Sequence, residues 1–380
     1  MKLTDVVNRI NGNVDRFTTD LEYYIGGEHF ESDELIINKR GIIKENLGKL
    51  GFKFHFAFQD RDVIFMARNP HLRKAGMVRF SGLCSDASYI LRSKDEKIIS
   101  QEFLAVLLQS NHFWDYCESH KVGSVNFANN WSTIANYEFE LPSPEFQKEL
   151  ADKVWAAYEV KQSYLKMIEA TEEMVKSQFI EMFGHSEKTK PLADYIEVSF
   201  PGEWGQEDNN GSGVKVIRTT NFTNNGKLDL REVVTRDIES AKVAKKKLQK
   251  GDIILERSGG TSENPVGRVV YFNEDGTYLF NNFTQLLRCK EDVNSLYIFY
   301  ALYNYYQTNK NTIRSMGNKT TGIQNLKMEQ YWQIPIADVS EQQQNEFVSI
   351  YNQADKSISE LRKSIDAIDK VIKSLINENL

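Results

Sequence analysis

The sequence contains three polar loops whose side chains could form paired hydrogen bonds with the edges of nucleic-acid bases. Arginine can donate two hydrogen bonds to guanine, and asparagine or glutamine can pair with adenine, while lysine, serine, threonine and backbone N–H groups hold phosphate. The loops span residues 257–264, 318–325 and 68–74. In the first of them, Gly259 and Gly260 would let the backbone approach a phosphate or a groove wall. These residue types favour recognition of DNA, although a hairpin turn or a solvated surface loop can have the same composition.

We predict that DNA is contacted by side chains in these loops, in the segment 126–131, and at two arginines outside them. The candidates are Arg68, Asn69, Arg73, Lys74, Asn126, Asn129, Arg218, Arg257, Ser258, Gly259, Thr261, Ser262, Arg314, Asn318, Lys319, Thr320, Thr321, Gln324 and Asn325. Phe127 and Trp131, which flank the asparagines of 126–131, are equally compatible with a hydrophobic core. The lysine run 245–247 could hold phosphate, but such runs are usually the solvated face of a helix.

The sequence lacks the motifs of enzymes that act on DNA. An adenine methyltransferase needs an Asn/Asp-Pro-Pro-aromatic motif for the flipped base and a glycine-rich loop for the methyl donor. The nearest segments, 69–71 and 264–266, lack the second proline and the aromatic residue. Neither a Walker A loop nor a GxGxxG motif occurs, and the 6 His and 3 Cys do not have the spacing of metal ligands. We therefore predict a non-catalytic protein without cofactor or metal.

The charge of the chain is unevenly distributed. The 380 residues carry a formal net charge of −6, which by itself argues against a nucleic-acid partner. However, residues 145–183 contain 8 acidic and 5 basic side chains, and residues 341–379 contain 7 and 5, so these two segments account for −5. The remainder is nearly neutral, and we expect the chain alone to bind DNA weakly.

The N-terminal residues and the cysteines indicate the cellular compartment of the protein. The first residues contain no apolar leader segment, and no apolar run approaches the roughly 18 residues that a membrane span needs. The three cysteines are odd in number and far apart, which fits buried thiols in a reducing compartment. We predict a cytoplasmic protein with no membrane partner.

The chain contains an internal repeat. Matching segments occur in the same order in both halves, with an offset that grows from 189 to 196 residues, as expected for two copies of one unit with small insertions. The matched segments are 3–7 with 192–196, 62–65 with 252–255, 77–80 with 269–272, Gly123 with Gly317, 141–142 with 334–335, and 145–147 with 341–343. Each copy consists of about 140 residues of mixed character, a proline-containing turn and a long helix.

Two long amphipathic helices are predicted at residues 145–183 and 341–379. Apolar residues recur at steps of three and four over about five heptads without glycine or proline, which favours a coiled coil over one helix of an ordinary bundle. At about 1.5 Å per residue, each helix would be roughly 58 Å long. Shorter helices are predicted at 101–120 and 295–312, and in the latter the tyrosines between 297 and 306 have the spacing of core residues.

The sequence resembles the specificity subunits of type I restriction–modification systems over nearly its whole length. The most specific residues are Ile334-Pro335-Ile336 and the stretch from Ser340 to Gln344, which resemble the passage from the second target-recognition domain into the conserved helix. Segments 256–260, 267–269 and 215–222 also look like that domain. The first copy, with 82–86 and 141–147, matches less closely and has Phe146 where the second has Gln342.

The resemblance implies a fold and a function. The expected fold is α+β: two mixed α/β target-recognition domains, residues 1–144 and 185–340, separated by an antiparallel pair of coiled-coil helices, 145–184 and 341–380, with pseudo-twofold symmetry. Each domain would read half of a bipartite double-stranded DNA site. The helices would set the spacer and dock two modification (methyltransferase) subunits, to which restriction subunits attach. The alternative is a coiled-coil scaffold that joins two protein-binding domains without touching DNA.

Overall fold

The computed structural model describes residues 1–125, 127–261, 263–320 and 323–380, without the side chains of Lys319 and Thr320. The chain divides into two compact units. Unit 1 comprises Met1–Ile168 and Ser359–Leu380, and unit 2 comprises Glu169–Ile358. In the described part of the chain, no helix has both the length and the apolar character needed to cross a membrane.

Unit 1 combines two four-stranded sheets with short helices. Its strands are β1 (Val7–Ile10), β2 (Tyr23–Ile25), β3 (Gly41–Ile42), β4 (Phe54–Phe58), β5 (Val63–Met66), β6 (Ala75–Met77), β7 (Gly82–Ser85) and β8 (Ser88–Ser93). Its helices are α1 (Leu3–Val6), α2 (Ile43–Asn46), α3 (Gln101–Leu107), α4 (Asn111–Ser119), α5 (Trp131–Ala135) and the first part of α6 (Pro144–Phe183). The sheet orders are β1-β8-β5-β6 and β3-β2-β7-β4.

Strand β5 lies at the centre of unit 1 and is buried on both faces. Val63 and Phe65 belong to the large core cluster that also contains residues of α3, α4 and α6. Ile64 and Met66 point to the opposite face and pack in a second cluster with residues of β2, β4 and β7. Because successive side chains of a strand alternate between its faces, the continuous apolar run of β5 holds the helices on one side and the second sheet on the other.

Unit 2 repeats this architecture. Its strands are β9 (Thr189–Pro191), β10 (Ile196–Val198), β11 (Gln206–Glu207), β12 (Val214–Ile217), β13 (Val234–Asp237), β14 (Ile253–Glu256), β15 (Ser258–Gly259), β16 (Val269–Tyr271), β17 (Tyr278–Phe280), β18 (Thr284–Cys289), β19 (Gly317–Thr320), β20 (Ile323–Leu326) and β21 (Pro335–Ala337). Its helices are α7 (Ser240–Lys246), α8 (Ser295–Thr308), α9 (Lys310–Ser315), α10 (Met328–Tyr331), the end of α6 and the first part of α11 (Glu341–Asn377).

The two units have corresponding sheets. In unit 2 the order β10-β18-β14-β16 corresponds to β1-β8-β5-β6 of unit 1, and in both sheets all neighbouring strands pair antiparallel. The second sheet of each unit contains one parallel pair, β2 with β7 in unit 1 and β12 with β17 in unit 2. The sequence repeat is therefore a repeat of structure.

A buried ion pair occurs at the same place in both sheets. Asp62, just before β5, accepts hydrogen bonds of 2.7 and 2.8 Å from Arg92 and one of 2.8 Å from the N–H of Gln59. Asp252, just before β14, accepts two bonds of 2.7 Å from Arg288 and one of 2.7 Å from the N–H of Gln249. Both aspartates are 1% exposed. The repeat thus preserves a charged contact as well as the apolar pattern.

The long helices α6 and α11 contribute to both units, and the predicted pair of helices is confirmed. In unit 1, Lys161 of α6 forms an ion pair of 2.8 Å with Asp369, near the end of α11. In unit 2, Phe179, near the end of α6, packs against Phe347, near the start of α11, with ring centroids 5.1 Å apart. Each unit therefore pairs an early segment of one helix with a late segment of the other, as in an antiparallel pair.

Three details differ from the sequence-based expectation. The helix predicted at 101–120 ends at Leu107 and restarts at Asn111, because the side chain of Ser110 accepts a hydrogen bond from the N–H of Phe113 and caps a new helix. The helix predicted at 295–312 is likewise interrupted at Asn309. The repeat also aligns differently at the long helices. The buried amide that bonds the carbonyl five residues back is Gln147 in one copy and Gln344, not Gln343, in the other.

Candidate nucleic-acid interface

Two of the predicted DNA-contacting loops lie side by side in unit 2. Strands β19 and β20 form a hairpin, and β15, from the loop that follows β14, pairs with β20 to make a three-stranded sheet. Ser258 lies opposite Asn325, and Asn325 lies opposite Asn318. Segments 257–264 and 318–325, some 60 residues apart in sequence, therefore form one surface.

One face of this small sheet presents hydrogen-bonding side chains. Ser258, Asn318 and Asn325 are directly opposite one another on adjacent strands, so they share a face. Asn318 and Asn325 are exposed, and the Ser258 hydroxyl donates a hydrogen bond of 2.6 Å to Oδ1 of Asn325. Leu326 is buried at the base of the hairpin, and its N–H donates to the carbonyl of Arg257 at 2.8 Å. The apolar residue anchors the sheet, while Asn318 and Asn325 face outward.

A buried carboxylate supports the 257–264 loop from below. Glu256 ends strand β14 with a side chain that is 2% exposed, and it accepts bonds of 2.7 and 3.2 Å from Arg268. It also accepts a bond of 3.3 Å from the N–H of Gly260. Gly259 and Gly260 have φ values of 117° and 69°, a region that glycine enters without strain. Glu256 was not among the predicted site residues; its sequence signal is a carboxylate at the end of a buried apolar strand.

Unit 1 places its corresponding loop in the same way. The N–H of Asn129 donates to the carbonyl of Ala67, as that of Leu326 does to Arg257. Arg68 pairs with Ala128 in an isolated β-bridge, and the N–H of Asn69 donates to Phe127 at 2.8 Å. Loop 68–74 and segment 126–131 are therefore neighbours, as 257–264 and 318–325 are in unit 2.

Three predicted residues of unit 1 are engaged in internal contacts. Arg73 forms an ion pair of 2.6 Å with Asp33 and donates to Asn111 and to a backbone carbonyl. Lys74 donates to the carbonyl of Gly27 at 2.8 Å. Asn129 is 1% exposed, and its amide nitrogen donates to the carbonyl of Cys117. These contacts give Arg73, Lys74 and Asn129 a structural role in this conformation, whereas Arg68 is exposed.

The other predicted residues are more scattered. Arg257 donates to the side chain of Gln285 at 3.4 Å, and Arg314 donates from α9 to Asn311 at 2.8 Å. Thr261 is exposed in the turn beyond Gly260, and Gln324 is half-buried on β20. Arg218 lines an open depression with Thr220, Asn221, Asp229, Arg231 and Glu232. Asn126, Ser262 and Thr321 lie outside the described residues, as do the side chains of Lys319 and Thr320.

Neither a metal cluster nor a reactive thiol is found among the residues that the structure describes. No group of three or more His, Cys, Asp or Glu side chains there could hold a metal ion. Burial raises the pKa of Cys84 and of Cys289 to about 12, and it also raises the pKa of Cys117, so all three thiols are protonated at neutral pH. The tyrosines of α8 that were expected in the core include Tyr297, which is fully buried.

Comparisons with known proteins agree with the sequence resemblance. The sequence model of the type I restriction modification DNA specificity domain matches residues 188–369. A chain of the type I R-M system, from work on its complex assembly and conformational transition, is 15% identical, with coverage of 100% of this chain and 97% of the other and a TM-score of 0.54. The S subunit of a type I restriction-modification system from M. genitalium is 12% identical, with coverage of 99% and 94% and a TM-score of 0.54. No curated protein matches significantly.

At this level of identity the structural matches establish the fold alone, and the family model matches the second half of the chain. Residues 188–369 are similar to the type I restriction modification DNA specificity domain, and the whole chain shares its α+β fold, with two long helices, with the two solved chains.

Proposed function

We propose that this chain is the non-catalytic DNA-recognition subunit of a type I restriction–modification complex. Each of its two recognition domains, 1–144 and 185–340, reads one half of a bipartite site in double-stranded DNA. The helical segments 145–184 and 341–380 set the number of base pairs between the halves and dock two methyltransferase subunits. Restriction subunits join through the assembled complex, which acts in the cytoplasm.

The observation that carries this proposal is the duplicated loop arrangement. In each unit, the loop that follows the central strand of the first sheet is hydrogen-bonded to a second polar segment about 60 residues later. Only one of the two copies lies within the matched specificity domain. Because the other copy has the same sheet order and the same loop pairing, a recognition role for one supports a recognition role for both.

The helices have surfaces suited to partner subunits. Among the side chains of α6, Val160 and Met167 are 43% and 53% exposed, a large exposure for apolar residues seven apart on one helix face. The acidic excess of the helices also makes them poor surfaces for DNA. These features favour protein contacts along the helices and DNA contacts in the loops.

The test is to map methylated adenines in cells that express this chain with its modification partner. A motif made of two specified parts separated by unspecified base pairs is expected. Cells with the modification partner alone are the control and should lack that motif. A motif in one uninterrupted part, or no methylation that depends on this chain, would contradict the proposal.

A further inference from the structure

The corresponding positions of the two recognition loops carry different hydrogen-bonding groups. Strand pairing aligns Ser258 with Arg68, since each is the second residue after the central strand and pairs across to the neighbouring polar segment. The residue opposite is Asn325 in unit 2 and Ala128 in unit 1. The two copies thus have the same backbone pairing at this place, but their side chains offer different hydrogen-bonding groups to a ligand.

In unit 2 the arrangement orients a side-chain amide. The Ser258 hydroxyl donates to Oδ1 of Asn325 at 2.6 Å, which distinguishes the oxygen end of the amide from its nitrogen end. Ser258 is itself 8% exposed, so this hydroxyl is fixed by its surroundings, whereas Asn325 is exposed. An amide oxygen has two lone pairs and can accept a second hydrogen bond. An oriented asparagine amide matches adenine, which presents N7 as an acceptor and N6–H as a donor in the major groove.

In unit 1 the same position offers donors only. Arg68 is exposed, and the small Ala128 opposite it leaves no side-chain acceptor across the bridge. A guanidinium presents a fork of N–H donors that matches O6 and N7 of guanine. The arginine fork and the asparagine amide, which lie on opposite sides of the corresponding cross-strand pair, therefore select different purines.

We propose that Asn325, positioned by Ser258, specifies an adenine in the half-site read by unit 2, and that Arg68 specifies a guanine in the half-site read by unit 1. This inference rests on the proposed function, since it assigns bases within the bipartite site. Ser258 is a positioning residue, and Asn325 and Arg68 contact the bases.

The experiment maps methylation by complexes that carry single substitutions. Asn325→Ala should relax one adenine position in one half of the motif, with about a 5- to 150-fold loss of preference for adenine there. Arg68→Ala should relax one guanine position in the other half by a similar factor. Ser258→Ala should weaken the same position as Asn325→Ala, but less. All other specified bases should remain.

A gain of specificity distinguishes base contact from a merely structural effect. Asn325→Asp should shift the preferred base at its position from adenine towards cytosine, because a carboxylate accepts from the N4 amino group of cytosine. Arg68→Gln should shift the preferred base at its position from guanine towards adenine, because a glutamine amide can pair with N6 and N7 of adenine. Asn209→Ala, the same truncation in an exposed turn of unit 2, is the matched control and should leave the motif intact.

Separate outcomes test the inference and the proposed function. A wild-type map without a two-part motif would contradict the function itself. A two-part wild-type motif that stays unchanged in Asn325→Ala and Arg68→Ala complexes that still methylate DNA would overturn only the inference. The inference would also be overturned if Asn325→Ala and Arg68→Ala both relaxed base preference within the same half-site.

Discussion

The ion pair between Glu256 and Arg268 yields a prediction about the stability of unit 2. The glutamate is almost fully buried beneath the recognition loop, and Arg268 is its charged partner, 17% exposed. Burial lowers the pKa of Arg268, but the hydrogen bonds to Glu256 more than offset this and leave the pKa above its ordinary value. Replacement of Arg268 by methionine would leave the carboxylate with the N–H of Gly260 as its remaining donor among the contacts described.

The magnitude follows from the cost of an uncompensated buried charge. Removal of one partner of a buried ion pair costs about 3–5 kcal/mol, and the partial exposure of Arg268 favours the lower end, about 3 kcal/mol. Unit 1 provides the comparison, because strand register aligns Met66 with Glu256 and Lys74 with Arg268. The double substitution Glu256→Met/Arg268→Met removes the buried carboxylate, as Met66 does in unit 1, together with its cation, and should cost about 1 kcal/mol or less.

Hydrogen exchange resolves the effect by unit. Amides of β14 and β18 should lose protection in Arg268→Met and largely regain it in the double variant, while amides of β5 and β8 in unit 1 serve as an internal reference. Equal losses in the single and double variants would show that the charge pair is not the source of the effect. Equal losses in both units would refute its assignment to unit 2.

Two further predictions concern the long helices. Deletion of one heptad from each helix, 165–171 and 357–363, shortens the pair by roughly 10 Å. The DNA spacer in the methylation map should then be about three base pairs shorter. An unchanged spacer would contradict the proposal that the helices set its length. Lys161→Met should destabilise unit 1 by about 1–2 kcal/mol in hydrogen exchange, because Glu34 and Asp369 lose their shared cation but remain partly exposed. Lys153→Met, which removes only an exposed surface pair with Glu149, is the control and should leave the protection of unit 1 nearly unchanged.

The sequence predicted the features that depend on local pattern. The 3.6-residue periodicity of the long helices and the matched apolar runs 62–65 and 252–255 depend on nearest neighbours along the chain, and the structure contains α6, α11, β5 and β14 there. The pairing of the two polar loops within each copy was not predicted, because it joins segments about 60 residues apart along the chain. Which of their residues contact DNA stays a prediction, as do the boundaries of the recognition domains.

The sequence could not reveal contacts between residues that are far apart along the chain. Arg73 was expected to face DNA, but Asp33, forty residues earlier, forms an ion pair with it. Asn129 was a candidate because of its side chain, yet its amide bonds the carbonyl of Cys117 inside the core. Glu256 has a sequence signal, a carboxylate at the end of an apolar strand, but its ion pair with Arg268 is seen only in the structure. Composition identifies polar loops, whereas tertiary contacts decide which polar groups remain available.

Lys161 disfavours a shift in the register of the two long helices. It interrupts the apolar stripe of α6, is 7% exposed, and donates to Glu34 at 2.6 Å while pairing with Asp369. Burial lowers its pKa, but hydrogen bonds to Asp369 and Glu34 outweigh that effect and raise it above the ordinary value. If α11 slipped by one heptad, Lys161 would meet either Ile376, which offers no acceptor, or Arg362, which repels it. A repetitive apolar seam would tolerate such a slip. The ion pairs of Lys161 therefore favour one register of the two helices, and a fixed register gives the pair a fixed length.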